Sequence, residues 1–384
     1  MIYLDNSMAA RPSERAVSAM IPFFTDHWAS PSSPHVMGQQ TSGAIKDAYK
    51  SLYGLIGANN EDAVIFTSCG AESVNHVFHS VYTDIALPRG KNHFITGKTD
   101  EAPALMAMHQ LEEQGCIGKC VDVDGRGHVT AELLGDVLSP RAALVSLSWG
   151  DGLTGVVQPV EEIAALCEDR GILLHLDATH VLGKLYFAPE EVKADLISFN
   201  GPQLHAPQGT GALYIRHGLK ISPFIAGGME QAGLRGGGVN VPGLTALGIA
   251  ATEALEARDL MCTETARLRD RLEKSVADRI EDMVVFYQNQ HRLPHISCMG
   301  FRGVANEALL YQLSRKGVMA SIGGGSFQQI GLVLMASGVE ETLAHSSLSF
   351  SLSRETTESE IDKAVEIIVE AVKHLRKFSN AFIN

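Results

Sequence analysis

The 384-residue sequence has no apolar run approaching the roughly 18 residues a membrane-spanning helix needs, so no membrane segment is expected. It is also poor in basic residues: 31 Lys and Arg stand against 44 Asp and Glu, a net charge of −13. Such a surface repels phosphate backbones and anionic lipid, which argues against nucleic-acid and membrane-surface partners. The six cysteines, at positions 69, 116, 120, 167, 262 and 298, follow no framework spacing. That pattern suits a reducing cytosol better than a secreted disulfide scaffold. Cys116 and Cys120 lack a second pair or a nearby histidine ligand, so they read as ordinary thiols rather than a zinc site. The opening MIYLDNSMAARP has no basic n-region and no apolar h-region, so no signal peptide is expected and a cytoplasmic location is. Internal repeats and low-complexity segments are missing as well.

What is present is an ordinary globular composition, with 45% hydrophobic and 20% charged residues. The length suggests two or three domains. Thirty-seven glycines cluster where backbone would approach a ligand closely.

From residue 16 to 255, short apolar runs alternate with helical stretches. The runs are Ala63–Thr67, Asn92–Thr96, Ala142–Leu147, Ile172–Leu176, Leu196–Phe199 and Gly211–Ile215. Val160–Arg170 reads as a helix with Val160, Ile163, Ala164 and Cys167 on one face. Doubly apolar strands separated by helices predict a mainly parallel sheet covered on both sides, an α/β domain. A helical stretch around Leu247–Ile280 then leads into a smaller α+β unit over 256–384. Its predicted strands are Met283–Tyr287, Ile296–Phe301, Val318–Ile322 and Leu348–Leu352. Thr357 and Glu360 form a capping box for a last helix whose apolar stripe is Ile361, Ala364, Val365, Ile368, Val372 and Leu375. Lys373, Arg376 and Lys377 are placed at its C-terminal end, where the helix dipole favours cations. Residues 1–15 are too short for a domain and are expected to pack on the smaller unit.

Ligands of open α/β sheets bind beyond the carboxyl ends of the strands. Three such ends stand out. Ala63–Thr67 is followed by Ser68-Cys69-Gly70-Ala71-Glu72-Ser73, a small-residue turn into a helix, which reads equally as an anion cup or as a tight turn. Ile172–Leu176 is followed by Asp177-Ala178-Thr179-His180, where Asp177 is either a carboxylate needing a cationic partner or a helix N-cap. Leu196–Phe199 is followed by Asn200-Gly201-Pro202-Gln203-Leu204-His205, which returns through Gly209 into the next strand.

In this order and spacing, the three segments resemble the cysteine desulfurases, class V members of the fold-type I pyridoxal-phosphate (PLP) enzymes. The resemblance runs nearly end to end, through Tyr3–Ser7, Pro31–Ser33 with His35, Phe66–Ser73, Gly155–Pro159, His175–Thr179, Gly209–Tyr214 and Ala344–Ser347 leading to Arg354. It implies a seven-stranded, mainly parallel sheet between helices plus a smaller C-terminal α+β domain. It also implies a dimer, with Gly227–Gly238 reaching across the subunit interface.

The family's working residues are where the chain departs. The resemblance places Gln203 at the Schiff-base lysine, and an amide nitrogen is neither a carbonyl nucleophile nor a general base. It places Glu101 at the ring-stacking histidine and His180 at the glutamine facing the cofactor's phenolic oxygen. Asp151 or Gly152 replaces an asparagine near the ring. At the phosphate, Ala71, Asn200, Pro202 and Gly238 replace the threonine, serine, histidine and partner-subunit threonine. The loop carrying the nucleophilic cysteine maps near Ser321–Phe327, with Ser326 or a neighbour in the cysteine's place, and a hydroxyl cannot carry a persulfide. Asp177 and Arg354, the residue similar to the family's substrate-carboxylate clamp, are kept, as are Lys98 and Lys184, which match lysines the family carries beside the catalytic one.

The leading expectation is therefore a desulfurase-like homologue that has lost Schiff-base and persulfide chemistry. It would act as a non-catalytic binding, scaffold or regulatory dimer, with no covalent cofactor and PLP bound only non-covalently if at all. Its vestigial cofactor pocket comprises Gly70, Ala71, Asp177, His180 and Asn200. Its partner is a second copy or a heteromeric partner in sulfur metabolism or iron–sulfur assembly. The alternative is an active desulfurase making alanine and sulfur from cysteine with displaced residues. A further alternative uses Asp177, His180 and His205 as a metal or acid/base site, although no metal is expected.

Overall fold

The computed structural model describes residues 1–187, 192–324 and 328–383. Seven strands form the large sheet: β1 (Ala63–Thr67), β2 (His93–Gly97), β3 (Ile117–Val121), β4 (Ala142–Ser148), β5 (Leu173–Asp177), β6 (Leu196–Asn200) and β7 (Gly211–Ile215). Their order is β1-β7-β6-β5-β4-β2-β3. All neighbours pair in parallel except β7, which runs antiparallel to both β1 and β6. Because β7 is reversed, its first residue, Gly211, lies beside the last residues of β1 and β6, Thr67 and Asn200. Those strand ends therefore converge on one edge, where a ligand site of this architecture lies.

The sheet is apolar on both faces. One side packs Phe66, Val145, Leu174, Leu176 and Phe199 against helices that include Ser42–Ile56 and Val241–Glu256. The other carries Ile65, Phe94, Leu144 and Leu213 against Gly70–Val81 and Ala102–Glu112. Val160–Arg170 forms as read, with Val160, Ile163, Ala164 and Cys167 buried. Its end is set by Gly171 in the left-handed conformation (φ 59°), which a residue without a Cβ adopts at little cost.

The smaller unit has a three-stranded antiparallel sheet in the order Ser347–Ser351, Ile296–Phe301, Met283–Val285. The predicted strand Val318–Ile322 is only Val318–Met319, which pairs in parallel with Ile2–Tyr3, while Ser321 makes a single antiparallel bridge to Ser349 of that sheet. The N-terminal strap thus donates Ile2 and Leu4 to the core of the smaller unit. It then crosses to the large sheet, where the Ala10 and Ser13 N–H groups donate to the Pro202 and His205 carbonyls.

The last helix also differs from its expected end. It runs Glu358–Ile383, beyond the Lys373–Lys377 cluster placed at its terminus. Arg376 does not serve a helix end: it donates to the carbonyls of Glu281, Asp282 and Arg302, pinning the helix to the sheet. The capping box at its start is present, with Thr357 N–H donating to Glu360 Oε2 at 2.9 Å.

Candidate functional site

The segments following β1, β2, β4, β5 and β6 meet the N-terminal strap at the carboxyl edge of the sheet. All but the segment after β1 line a cavity of about 70 Å³, with Ser7, Thr99, Glu101, Asp151, His180 and Gln203 in its wall beside Gly323 and Val333 of the smaller unit. Gln203 is buried and lies in a 3-10 turn, Gly201–Leu204, directly after β6. Its Nε2 donates to the Ser7 and Met8 carbonyls at 3.0 and 2.9 Å, and its Oε1 accepts from Asn200 Nδ2 at 2.8 Å. Asn200 Oδ1 in turn accepts the Gly70 N–H at 3.2 Å. One connected amide network therefore joins the strap, the end of β6 and the start of the Gly70–Val81 helix.

Glu101 follows β2 and meets His180, which follows β5, with Oε1 to Nε2 at 2.8 Å. A carboxylate only accepts, so His180 donates from Nε2, while its Nδ1 is buried and has no hydrogen-bond partner among the described residues. Gly152 makes room for this pair, since a Cβ there would lie 2.4 Å from His180 Nε2. Asp151 faces inward but is engaged: Oδ1 accepts from Leu153 N–H and from Thr154 N–H and hydroxyl.

Asp177 is the last residue of β5, and a turn rather than a helix follows it, so it is no helix cap. Among the described residues its carboxylate is bonded by Thr179 alone. Burial, reinforced by the nearby Glu101 charge, pushes its pKa up to about 6. Asp100 is a site residue that the sequence reading missed. It is buried, accepts the Gly97 and Ser148 N–H groups at 2.7 and 2.9 Å, and is pushed by burial to about 7. Only its position, directly before Glu101, could have signalled it.

Several expected groupings do not form. Arg354 does not line the Glu101–His180 cavity. It donates to Glu253 at 2.6 Å and lines a second cavity behind Gln203, with Lys184, His205 and His295. His205 donates from Nδ1 to the Arg11 carbonyl at 2.8 Å and also faces that second cavity. Asp177, His180 and His205 therefore make no shared metal site, and among the described residues no cluster of three or more His, Cys, Asp or Glu is arranged to hold a metal. Ala71 lies in the first turn of the Gly70–Val81 helix. Gly238 is exposed, and a Cβ added there would meet no described atom within 4 Å. Ser326 lies outside the described residues.

The family model described as Aminotransferase class-V matches residues 2–364. The chain belongs to that family. It is 35% identical to a cysteine desulfurase of Gluconacetobacter diazotrophicus, covering 98% of this chain and 95% of the relative. It is likewise 35% identical to the cysteine desulfurase NifS of Azotobacter vinelandii, covering 98% and 94%. A solved structure titled NifS-like protein superposes with a TM-score of 0.90 at 28% identity, over 97% of this chain and 99% of that one. The protein is thus a cysteine desulfurase-like class V member with the fold-type I architecture.

The family is PLP-dependent. The partly buried Asp177 carboxylate, which makes no ion pair among the described residues, suits a protonated ring nitrogen. The rest does not fit a covalently held PLP. Gln203 has no nucleophilic amine and its amide is fully engaged. At the anion cup, Asn200 already takes the Gly70 amide, and Glu72 Oε2 takes the Ser68 amide at 2.8 Å.

Proposed function

We propose that the protein is a non-catalytic cysteine desulfurase homologue, a dimeric cytoplasmic binding or regulatory subunit whose pocket holds its ligand without covalent attachment. The observation carrying this reading is Gln203. Its side chain is a buried, three-bonded structural pin at the position the resemblance gives to the Schiff-base lysine. The Glu101–His180 pair supports it, because Glu101 and His180 Nε2 are committed to each other rather than to a cofactor.

The second reading is an active desulfurase that forms alanine and sulfur from cysteine. The comparisons taken alone favour it, since relatives at 35–36% identity over 98–99% of the chain carry the name cysteine desulfurase. One experiment separates the two. The purified protein is incubated with PLP and L-cysteine, sulfide and alanine are measured, and borohydride is added before peptide mapping. The first reading expects neither product and no lysine-linked PLP. Sustained release of both products, with PLP fixed to a lysine, establishes the second.

A further inference from the structure

Behind Gln203, on the side away from His180, lies the second cavity, of about 30 Å³. Its lining contains two cationic residues, Lys184 and Arg354, and two imidazoles, His205 and His295, but no carboxylate. The neighbouring Glu253 is committed to Arg354 at 2.6 Å and to Arg15 at 3.5 Å. Lys184 is 7% exposed, and its Nζ has no hydrogen-bond partner. His295 is 1% exposed, and neither ring nitrogen is bonded. A neutral imidazole still carries one N–H, so the cavity presents an ammonium and a ring donor with nothing to receive them.

An unpaired buried ammonium is costly, whereas an enclosed counter-charge offsets that cost. Size limits the counter-charge. A water needs roughly 10–15 Å³ of such space, so the cavity holds about two waters or one halide, and is too small for phosphate or an amino acid. The walls from Leu182, Leu204, Met261 and Leu352 leave little competing hydration.

We propose that this cavity binds one small monovalent anion of halide size, held between the Lys184 ammonium and a His295 N–H. The site is divided from the Glu101–His180 pocket by Gln203, which lines both cavities, and the proposal does not rest on whether the protein catalyses anything. It neutralises an interior charge at the junction of the strap, the sheet and the smaller unit, and so ties halide concentration to the stability of that junction.

Full-length protein is unfolded in urea at constant ionic strength, with sodium bromide replacing sodium gluconate, whose anion is too large to enter. At bromide ten times its Kd, the folding equilibrium constant rises about 11-fold. In Lys184→Met the bromide response disappears while the protein stays folded in gluconate. Crystals of the unaltered protein grown with bromide show one anomalous peak bounded by Lys184 and His295, a readout that stands even if the variant fails to fold. No peak there, or an equal bromide response in Lys184→Met, overturns the proposal in favour of water.

Discussion

The role of Gln203 is decided by removing its amide while keeping its bulk. Gln203→Leu deletes two donors and one acceptor, leaving the Ser7 and Met8 carbonyls and the Asn200 amide without their present partner. A buried polar group stripped of its partner costs about 1–3 kcal/mol. Gln203 adjoins both cavities, which let water reach the freed groups, so the lower end applies to each and the sum is about 3 kcal/mol. Gln203→Lys behaves differently. At pH 9, where burial beside Lys184 and Arg354 leaves the new amine neutral, it still donates to both strap carbonyls and loses only the Asn200 contact, a cost of about 1–2 kcal/mol. Urea unfolding with the slope m held as a check gives the order Leu variant, Lys variant, unaltered protein, from least to most stable. Limited proteolysis adds a local readout, because loss of the pin frees the strap before the sheet unfolds. A Leu variant within 0.5 kcal/mol of the unaltered protein, a shift typical of inert surface changes, refutes the structural role. So does a sulfide-releasing activity in the unaltered protein that the Leu variant abolishes.

Three further outcomes follow from the same geometry. Burial, with a smaller contribution from Arg354, holds Lys184 down at about 7, against 10.5 ordinarily. A depressed amine contributes stability that is present above the unfolded pKa and lost as pH falls through the folded one. In halide-free buffer, Lys184→Met therefore gains most over the unaltered protein at pH 7 and below. The gap closes by at most about 5 kcal/mol towards pH 10, read from urea midpoints, and a pH-independent gap contradicts the burial argument. Gly152→Ala drives a methyl into the His180 ring. It costs about 1–3 kcal/mol and removes the hydrogen-bonded Nε2 proton signal of His180 from the NMR spectrum; an unchanged signal counts against the pairing with Glu101. Arg292 and Glu273 form a buried two-bond pair at 2.6 and 2.7 Å. Arg292→Met costs about 3–5 kcal/mol in urea unfolding, and Arg292→Met with Glu273→Leu recovers most of it; an additive double variant denies the coupling.

Local patterning made the sheet legible where strands are apolar on both faces. β1 and β7 have the limits their residues suggest, and β5 and β6 each extend one residue further, to Asp177 and Asn200. Those polar residues still pair, Asp177 with Ser148 and Ser198 and Asn200 with Gly211, and strand pairing does not depend on hydrophobicity. β3 was not legible because it is the sheet edge. Ile117 and Cys120 are exposed, and parallel pairing to β2 forms it without an apolar run. Gln203 was visible in sequence at the position the resemblance gives to the lysine, but its bonding was not, since its partners Ser7 and Met8 lie in the opening strap. The cavity of Lys184, His205, His295 and Arg354 was illegible for the same reason: four distant segments meet only in three dimensions.

The distribution of unsatisfied groups bears on how the site came to differ from its relatives. A pocket that merely decayed would leave unpaired polar atoms where the working residues stood, because each substitution would have been made without regard to its neighbours. At this edge the replacements satisfy one another instead. Gln203 bonds Asn200, Asn200 takes the Gly70 amide, and Glu101 takes the His180 proton. Each pair combines two positions that the resemblance gives as departures from the family pattern, or one such position with a backbone group. Buried networks of this kind are costly when half satisfied and tolerable only when complete. Among the described residues the orphaned atoms at this edge are His180 Nδ1 and Ser7 Oγ, and the second cavity holds three more, Lys184 Nζ and both nitrogens of His295. Gln203 and Asn200 thus form one unit, and Glu101 and His180 another. Changing Gln203 to lysine alone leaves the Asn200 amide without its present acceptor, so the single change recovers less than joint replacement of Gln203 and Asn200.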